Sequence, residues 1–352
     1  MINLSVFTPT VERCGIAQYS SRINRQLGDR FRITVVPAEE AITELSYQQL
    51  GARMNQADIG HVHYENGFFT ANEKLEGNSK TFFDAIKIPL VCSFHCLPFF
   101  ELADWENRVT QPHFHSILHS QHHICRMAAL TPDANLSNVL LPVYKMPMNQ
   151  HLVSSVRRRY NLNGARLISI SGFIKSHKGY DLAINALSKL PKDVRLLIVG
   201  AAQNKTDQIY VEKLQQQIIS QNVSDRVIFT GYLDTPWLNA CLAASSVVLA
   251  PFTSMTASAS LADAFTAGAP VLASNLPQCE ELSQRFGGMQ LFECGKLDDL
   301  VLKLGDLLRN HSLRDRLASE TRQHREQCGI AATADRIARV LNNVYTGAEH
   351  VT

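Results

Sequence analysis

No run of about 18 apolar residues occurs in this chain, so no segment reads as a membrane span. The opening stretch, MINLSVFTPT, has neither the basic start nor the apolar core of a secretory leader and is read as a first strand. An excess of one charge is missing too. The chain has 34 Lys and Arg against 32 Asp and Glu, and so even a balance argues against a protein whose main work is gripping nucleic-acid backbone. Short-period repeats and low-complexity segments are absent. The eight cysteines, at 14, 92, 96, 125, 241, 279, 294 and 328, follow no pairing pattern, and a chain of 352 residues does not need disulfide staples. Free thiols in a reducing cytoplasm are expected. No basic amphipathic stretch marks a lipid surface, since VRRRY at 156–160 is short, although a peripheral membrane contact is left open.

What is present is apolar material in a regular order. At 45% apolar and 19% charged the chain can build packed cores and is too apolar for disorder, and its length is a prior for two domains. Short β-branched runs alternate with helical segments. Strands are expected at Ile2–Phe7, Ile33–Val36, Ile59–His63, Ile88–Phe94, Ser116–His119 and Asn138–Leu141, then at Leu167–Ser171, Val194–Val199, Val227–Thr230, Val247–Ala250 and Pro270–Ala273. Helical patterns cover Gly179–Leu190, Lys205–Gln221 and the tail, Leu313–Tyr345. Buried strands alternating with helices specify parallel sheets clad on both faces. The pattern breaks over the polar stretch 143–165, which ends in Asn-Gly-Ala. The fold class expected is therefore α/β, with two Rossmann-like, doubly wound domains at 1–150 and 151–330, facing a cleft at the carboxyl ends of their strands, and a final helix within 331–352.

Four strand-to-helix junctions carry unusual residues. In Thr8–Ala17, TPTVERCGIA, Gly15 opens a helix, where a backbone amide end favours phosphate, although a glycine there also serves as an ordinary turn. In Ser171–Gly179, SGFIKSHKG, Lys178 stands at a helix start, where a cation opposes the dipole unless an anion offsets it; a solvated lysine is the plain alternative. In Ala250–Gly268, APFTSMTASASLADAFTAG, Ser254, Thr256, Ser258 and Ser260 precede a helix and suit a diphosphate cradle. Asp263 is placed in that helix's first turn, where it either steadies the helix end or accepts ribose hydroxyls. In Ser93–Leu97, SFHCL, His95 ends a strand and points to the cleft, whereas a lone histidine is more often a packing residue.

Eight of the 13 histidines fall between His61 and His123. His113, His115, His119, His122 and His123, with Cys92, Cys96 and Cys125, raise the question of zinc. Their spacing matches no standard ligand set, and a strand at 116–119 scatters side chains over both faces. No metal is expected.

The segments CGIAQYS, HVHYENGFF, PLVCSFHC, SGFIKSHKGYDLAINAL, VRLLIVG, VIFTGYL, VVLAPF and AGAPVLAS follow one another in this order. They resemble, over nearly the whole chain, the retaining nucleotide-sugar glycosyltransferases of the GT-B fold, family 4 type. The resemblance implies transfer of a sugar from a UDP- or GDP-linked donor to an acceptor hydroxyl with retention, and with no metal and no cofactor beyond the donor. The acceptor is a glycan, lipid, protein or small molecule. It implies that the first domain takes the acceptor, the second the nucleotide sugar, and that the final helix crosses back to the first. His95 meets the donor sugar and Lys178 the diphosphate. Gly15, Gly172, Gly231, Tyr232, Leu233, Ser258, Ala259, Ser260, Leu261 and Asp263 complete the donor site, and Glu65, Asn66 and Gly67 lie on the acceptor side.

Two departures stand out. The family has Arg where this chain has Phe173, and a pair of Glu eight positions apart where it has Met255 and Asp263. Asp263 can still accept ribose hydroxyls, whereas a thioether cannot replace a carboxylate at a sugar. These departures motivate a competing reading, a degenerate, non-catalytic GT-B subunit. A third reading is an epimerase or phosphorylase on the same fold; a phosphorylase would need more basic residues than Lys175 and Lys178 in these loops.

Overall fold

The computed structural model describes residues 1–11, 14–70, 75–97, 104–146 and 149–347. Two compact units divide the chain, one formed by Met1–Leu141 together with the segment from Ile330 onward, the other by Pro142–Gly329. The division falls at 141/142, earlier than the expected 150, and the segment just after it is tied to the second unit, with the Tyr144 N–H donating to Thr266 Oγ1 at 3.0 Å.

In unit 1 the strands β1 (Ile2–Thr8), β2 (Phe31–Pro37), β3 (Ile59–Tyr64), β4 (Leu90–Phe94), β5 (Phe114–Leu118) and β6 (Asn135–Asn138) form one parallel sheet in the order β2-β1-β3-β4-β5-β6. Helices α1 (Gly15–Leu27), α2 (Glu44–Met54), α3 (Leu75–Asp84), α4 (Asp104–Val109) and α5 (Gln121–Leu130) connect them. The period of two explains the near-continuous apolar strands. Phe7, Val62, Tyr64, Cys92 and Phe94 feed one core, with Phe82 and Trp105, while Leu4, Val6, Ile59, Val91 and Ile117 feed the other, with Ile23 and Leu27 of α1.

Unit 2 contains α6 (Gln150–Arg159), β7 (Arg166–Ser171), α7 (Tyr180–Ser188), β8 (Val194–Val199), α8 (Lys205–Ser220), β9 (Val227–Phe229), α9 (Thr235–Ala243), β10 (Val247–Ala250), α10 (Ala259–Ala267), β11 (Val271–Ser274), α11 (Pro277–Phe286), β12 (Met289–Phe292), α12 (Leu297–Arg309) and α13 (His311–Gln327). Its parallel sheet runs β12-β11-β10-β7-β8-β9. The chain moves outward from β7 in one direction, then returns to β10 and moves the other way. The loops after β7 and β10 therefore flank a topological switch point, where open α/β sheets bind ligands. In unit 1 the same point lies between β1 and β3. The last helix, α14 (Ile330–Thr346), packs on α1 in unit 1, burying Ile337 and Leu341 beside Leu4 and Ile23.

Most expected strands fall within two residues of those observed. Three readings change. The sixth strand is Asn135–Asn138, not 138–141: it is a sheet edge, which tolerates the polar run NLSN, so the apolar VLL misplaced it. A strand at Met289–Phe292 was not expected; four residues after Gly287 and Gly288, both at positive φ, show little periodicity of their own. The helical tail is two helices, interrupted at Cys328 and Gly329. All eight cysteines are free, with Cys92, Cys241, Cys279 and Cys328 buried. Among the described residues no helix is long and apolar enough to cross a membrane.

Candidate functional site

In unit 2 the loop after β7 turns through Gly172 at φ +105°, then a short 3-10 turn, Ser176–Lys178, then Gly179 at φ +69°. Both glycines are required by contact as well as by backbone: a Cβ on Gly172 would collide with the Lys178 ammonium, and one on Gly179 with the Pro251 carbonyl. Lys178 is thus two residues before α7, not on its first turn, and its side chain leaves α7 altogether. Its Nζ donates to Ser260 Oγ at 3.0 Å, and it lies 5.7 Å from the centroid of Phe252. Ser260 Oγ is 3.1 Å from Ser258 Oγ, and Ser258 caps α10 by accepting from the Leu261 N–H at 3.1 Å.

The result is a lysine laid against the amide end of a helix. Helix geometry leaves the first N–H groups, those around Ala259 and Ser260, without intrahelical partners, and that end carries partial positive charge. Burial lowers the Lys178 pKa to about 8, with Lys175 adding to the effect, while the Asp263 carboxylate opposes it. An ammonium, the amide end of a helix and Lys175 are thus set near the Asp263 carboxylate, an arrangement chemically able to hold an anion with several oxygens, such as a diphosphate.

Asp263 is a correction. With α10 beginning at Ala259 it stands at the fifth helical position, in the second turn, and α10 has no acidic residue in its first turn. A helix-capping role is thereby weakened, and its electrostatic partner is Lys178. Met255 lies in the loop before α10; its carbonyl accepts from Gln278 Nε2 at 2.9 Å and its sulfur sits 4.0 Å from Cys279 Sγ. Gly231, at φ +70°, Tyr232 and Leu233 follow β9 at the sheet edge, two strands from β7 but at the same carboxyl end; no side chain contacts a Cβ placed on Gly231.

In unit 1, Gly15 is the first residue of α1, again without an acidic first turn. Glu12 and Arg13 of that junction lie outside the described residues. Glu65 follows β3 and precedes a 3-10 turn that Asn66 and Gly67 begin, with Asn66 N–H donating to Cys96 Sγ at 3.2 Å. The His95 N–H donates to the Tyr64 carbonyl at 2.9 Å, so the acceptor-side trio and His95 occupy neighbouring loops.

His95 has company that sequence reasoning missed. Parallel register pairs His63 with Ser93 and Ser93 with Ile117, so His61 and His63, Ser93 and His95, and Ile117 and His119 share a sheet face. His63 Nδ1 is 3.1 Å from His95 Nε2, His61 Nε2 is 2.8 Å from Ser93 Oγ, and His119 Nδ1 donates to the Val139 carbonyl at 2.7 Å. Tyr19, the aromatic of CGIAQYS, sets its ring edge-on to His63, His95 and His119. Burial, reinforced by neighbouring histidines, lowers His61 to about 3 and pushes His63 and His95 well below the usual range; burial also takes His119 to about 4. Each shift favours the neutral imidazole at neutral pH. The H-x-H of HVHYENG was the available signal, visible once both histidines are put on one face. Of the other histidines weighed for zinc, His115 bonds Ser137 Oγ at 2.9 Å and His123 bonds Ser120 Oγ at 2.8 Å. Among the described residues no group of three or more His, Cys, Asp or Glu is arranged to hold a metal.

Comparison with known proteins follows the same division. Residues 155–324 match the family described as Glycosyl transferases group 1. The 2-deoxystreptamine glucosyltransferase of Streptomyces kanamyceticus is 28% identical over 126 residues, 34% of this chain; the match spans about a third of that protein's length, 31%. Among solved structures, HepE of Anabaena in complex with UDP-glucose superposes with a TM-score of 0.78 at 18% identity, covering 97% of this chain and 100% of that one. Sucrose-phosphate synthase of Thermosynechococcus elongatus does so with 0.78 at 13% identity, covering 99% and 100%. The architecture is that of the GT-B glycosyltransferases, and the group 1 glycosyl transferase match occupies most of unit 2.

Proposed function

We propose that this protein is a glycosyltransferase that moves a sugar from a nucleoside diphosphate donor to an acceptor hydroxyl, with retention and without a metal. The observation that carries this reading is the Lys178–Ser260 contact at the amide end of α10, a cationic cradle suited to an anion. The group 1 family match over the same residues supports it. UDP is favoured over GDP, because HepE was solved with UDP, with UDP and glucose, and with UDP-glucose.

In this reading unit 2 takes the donor and unit 1 the acceptor. Lys178 and the free N–H groups of α10 stabilise charge that grows on the diphosphate as the glycosidic bond breaks, and being fixed in advance they need no rearrangement at that moment. The amide end of α1 at Gly15 is a second place in this reading where phosphate oxygens are favoured. Asp263 accepts ribose hydroxyls, the backbone at Gly231, Tyr232 and Leu233 meets the base, and His95 meets the donor sugar. Glu65, Asn66 and Gly67 stand on the acceptor side. Retention follows attack from the face the leaving diphosphate departs, assisted by that diphosphate.

Incubation with a panel of UDP- and GDP-sugars, with and without EDTA, tests this through release of nucleoside diphosphate, and NMR of the product's anomeric proton reads the stereochemistry. Turnover that survives EDTA and preserves the anomeric configuration is expected. Met255 and Phe173 favour a second reading, a GT-B protein that binds the donor without turning it over. Calorimetric binding of UDP with no release from any donor would select it.

A further inference from the structure

His95 is the only one of the four clustered imidazoles with part of its surface exposed; His61, His63 and His119 are buried. The protons on this cluster can be assigned from hydrogen-bond chemistry. The Val139 carbonyl only accepts, so His119 carries its proton on Nδ1. Between His63 Nδ1 and His95 Nε2, 3.1 Å apart, one nitrogen must donate. His63 Nε2 is buried and has no hydrogen-bond partner among the described residues. An orphaned buried N–H is rarer and more costly than an acceptor left unused. His63 therefore keeps its single proton on Nδ1 and donates it to His95 Nε2. A neutral His95 whose Nε2 accepts must carry its own proton on Nδ1. Tyr19, edge-on to both rings, holds this arrangement from the α1 side.

We propose that His63 is a positioning residue that holds His95 in its Nδ1–H tautomer, so that His95 meets the donor sugar as a hydrogen-bond donor to a hydroxyl oxygen and never as a base. The substrate in this statement rests on the proposed transferase function; the tautomer does not. One consequence is that His95 takes no proton from the acceptor hydroxyl. Another is that His63, which touches no substrate, still affects turnover through the orientation of its neighbour's N–H.

Long-range proton–nitrogen NMR of the labelled protein at neutral pH, with the His95 signals assigned by their loss in His95→Gln, reads the tautomer without any turnover. The parent is expected to show His95 protonated at Nδ1. In His63→Phe the constraint is gone, and His95 should shift towards the Nε2–H form. In His63→Asn the amide N–H reaches the place of Nδ1 and should restore the parent spectrum. Kinetically, His63→Phe should lower kcat by about tenfold or more at little-changed donor KM, and His63→Asn should recover most of it. Protonation of His95 at Nε2 in the parent, or no change in His63→Phe, overturns the assignment. If His63→Phe does not fold, the parent and His63→Asn spectra decide it. If no donor is ever turned over, the transferase reading fails while the spectra still decide the tautomer.

Discussion

Lys178 Nζ and Ser260 Oγ are 3.0 Å apart although 82 residues separate them in the chain. The contact joins the loop after β7 to the start of α10 across the switch point of the second sheet, and it places an ammonium where a helix already presents positive charge. That placement suits an anion.

Removing the ammonium should hurt binding and turnover together, because a diphosphate is charged before and during bond breaking. Lys178→Ala is expected to raise donor KM and lower kcat, with kcat/KM down by roughly ten- to a hundredfold. His95→Ala should mainly lower kcat. The pH dependence has a definite sign. Free Lys178 has a pKa lowered to about 8, and an anion binds its charged form, so donor affinity should fall as pH rises through about 8. Lys178→Arg, which stays charged, should flatten that fall; calorimetry with UDP between pH 7 and 9.5 measures both.

Gly172→Ala places a methyl group on the Lys178 ammonium at φ +105°, a conformation alanine rarely adopts. The flexible lysine should yield first, so UDP affinity is expected to drop about as far as in Lys178→Ala, with a loss of roughly 1–3 kcal/mol of stability from the strained backbone. Calorimetry and urea unfolding of the same sample separate the two effects.

If Asp263 accepts ribose hydroxyls as proposed, Asp263→Ala should weaken binding of the nucleoside diphosphate itself, not only turnover. Removing this carboxylate also leaves Lys178 with less opposition to burial, so the pH at which affinity falls should move below that of the parent. Unchanged UDP affinity would mean that Asp263 serves only the helix.

Met255→Glu restores a carboxylate beside Gln278, whose amide already reaches the Met255 carbonyl. Stricter choice among UDP-sugars, by about 1–3 kcal/mol between epimers, is expected in initial-rate comparisons. An unaltered donor profile would remove this position from specificity.

The buried histidines set the acid limit of unit 1. His61 and His119, lowered to about 3 and about 4, stay neutral in the folded protein while their unfolded counterparts take up protons near pH 6.5. Stability is therefore full above that pH and falls as pH drops from 6.5 towards 4, by roughly 2 kcal/mol per histidine at pH 5. Urea unfolding at pH 7.5, 6 and 5 checks this, and His61→Asn should shallow the fall.

Local pattern was enough for much of this protein. Short β-branched runs such as Leu167–Ser171 and Val194–Val199, alternating with helices, point to parallel α/β sheets because strands buried on both faces need apolar residues at nearly every position. The junction residues Lys178, Ser258 and Ser260 could be singled out because they stand in strand-to-helix turns at the carboxyl ends of sheet strands, where open α/β sheets bind ligands, although each also has an ordinary structural use, as Ser258 shows by capping α10. What the linear order does not contain is register. The polar edge strand Asn135–Asn138 and the short strand Met289–Phe292 exist because neighbouring strands offer them hydrogen bonds, not because of their own periodicity. Asp263 left the first turn of α10 because the cap is set by Ser258 accepting from Leu261, a contact that depends on where the loop from β10 ends. The pairing of His63 with His95, with Tyr19 across both, was decided only when three parallel strands came into register and α1 packed on that face: residues tens of positions apart become neighbours through sheet geometry, which no local spacing records.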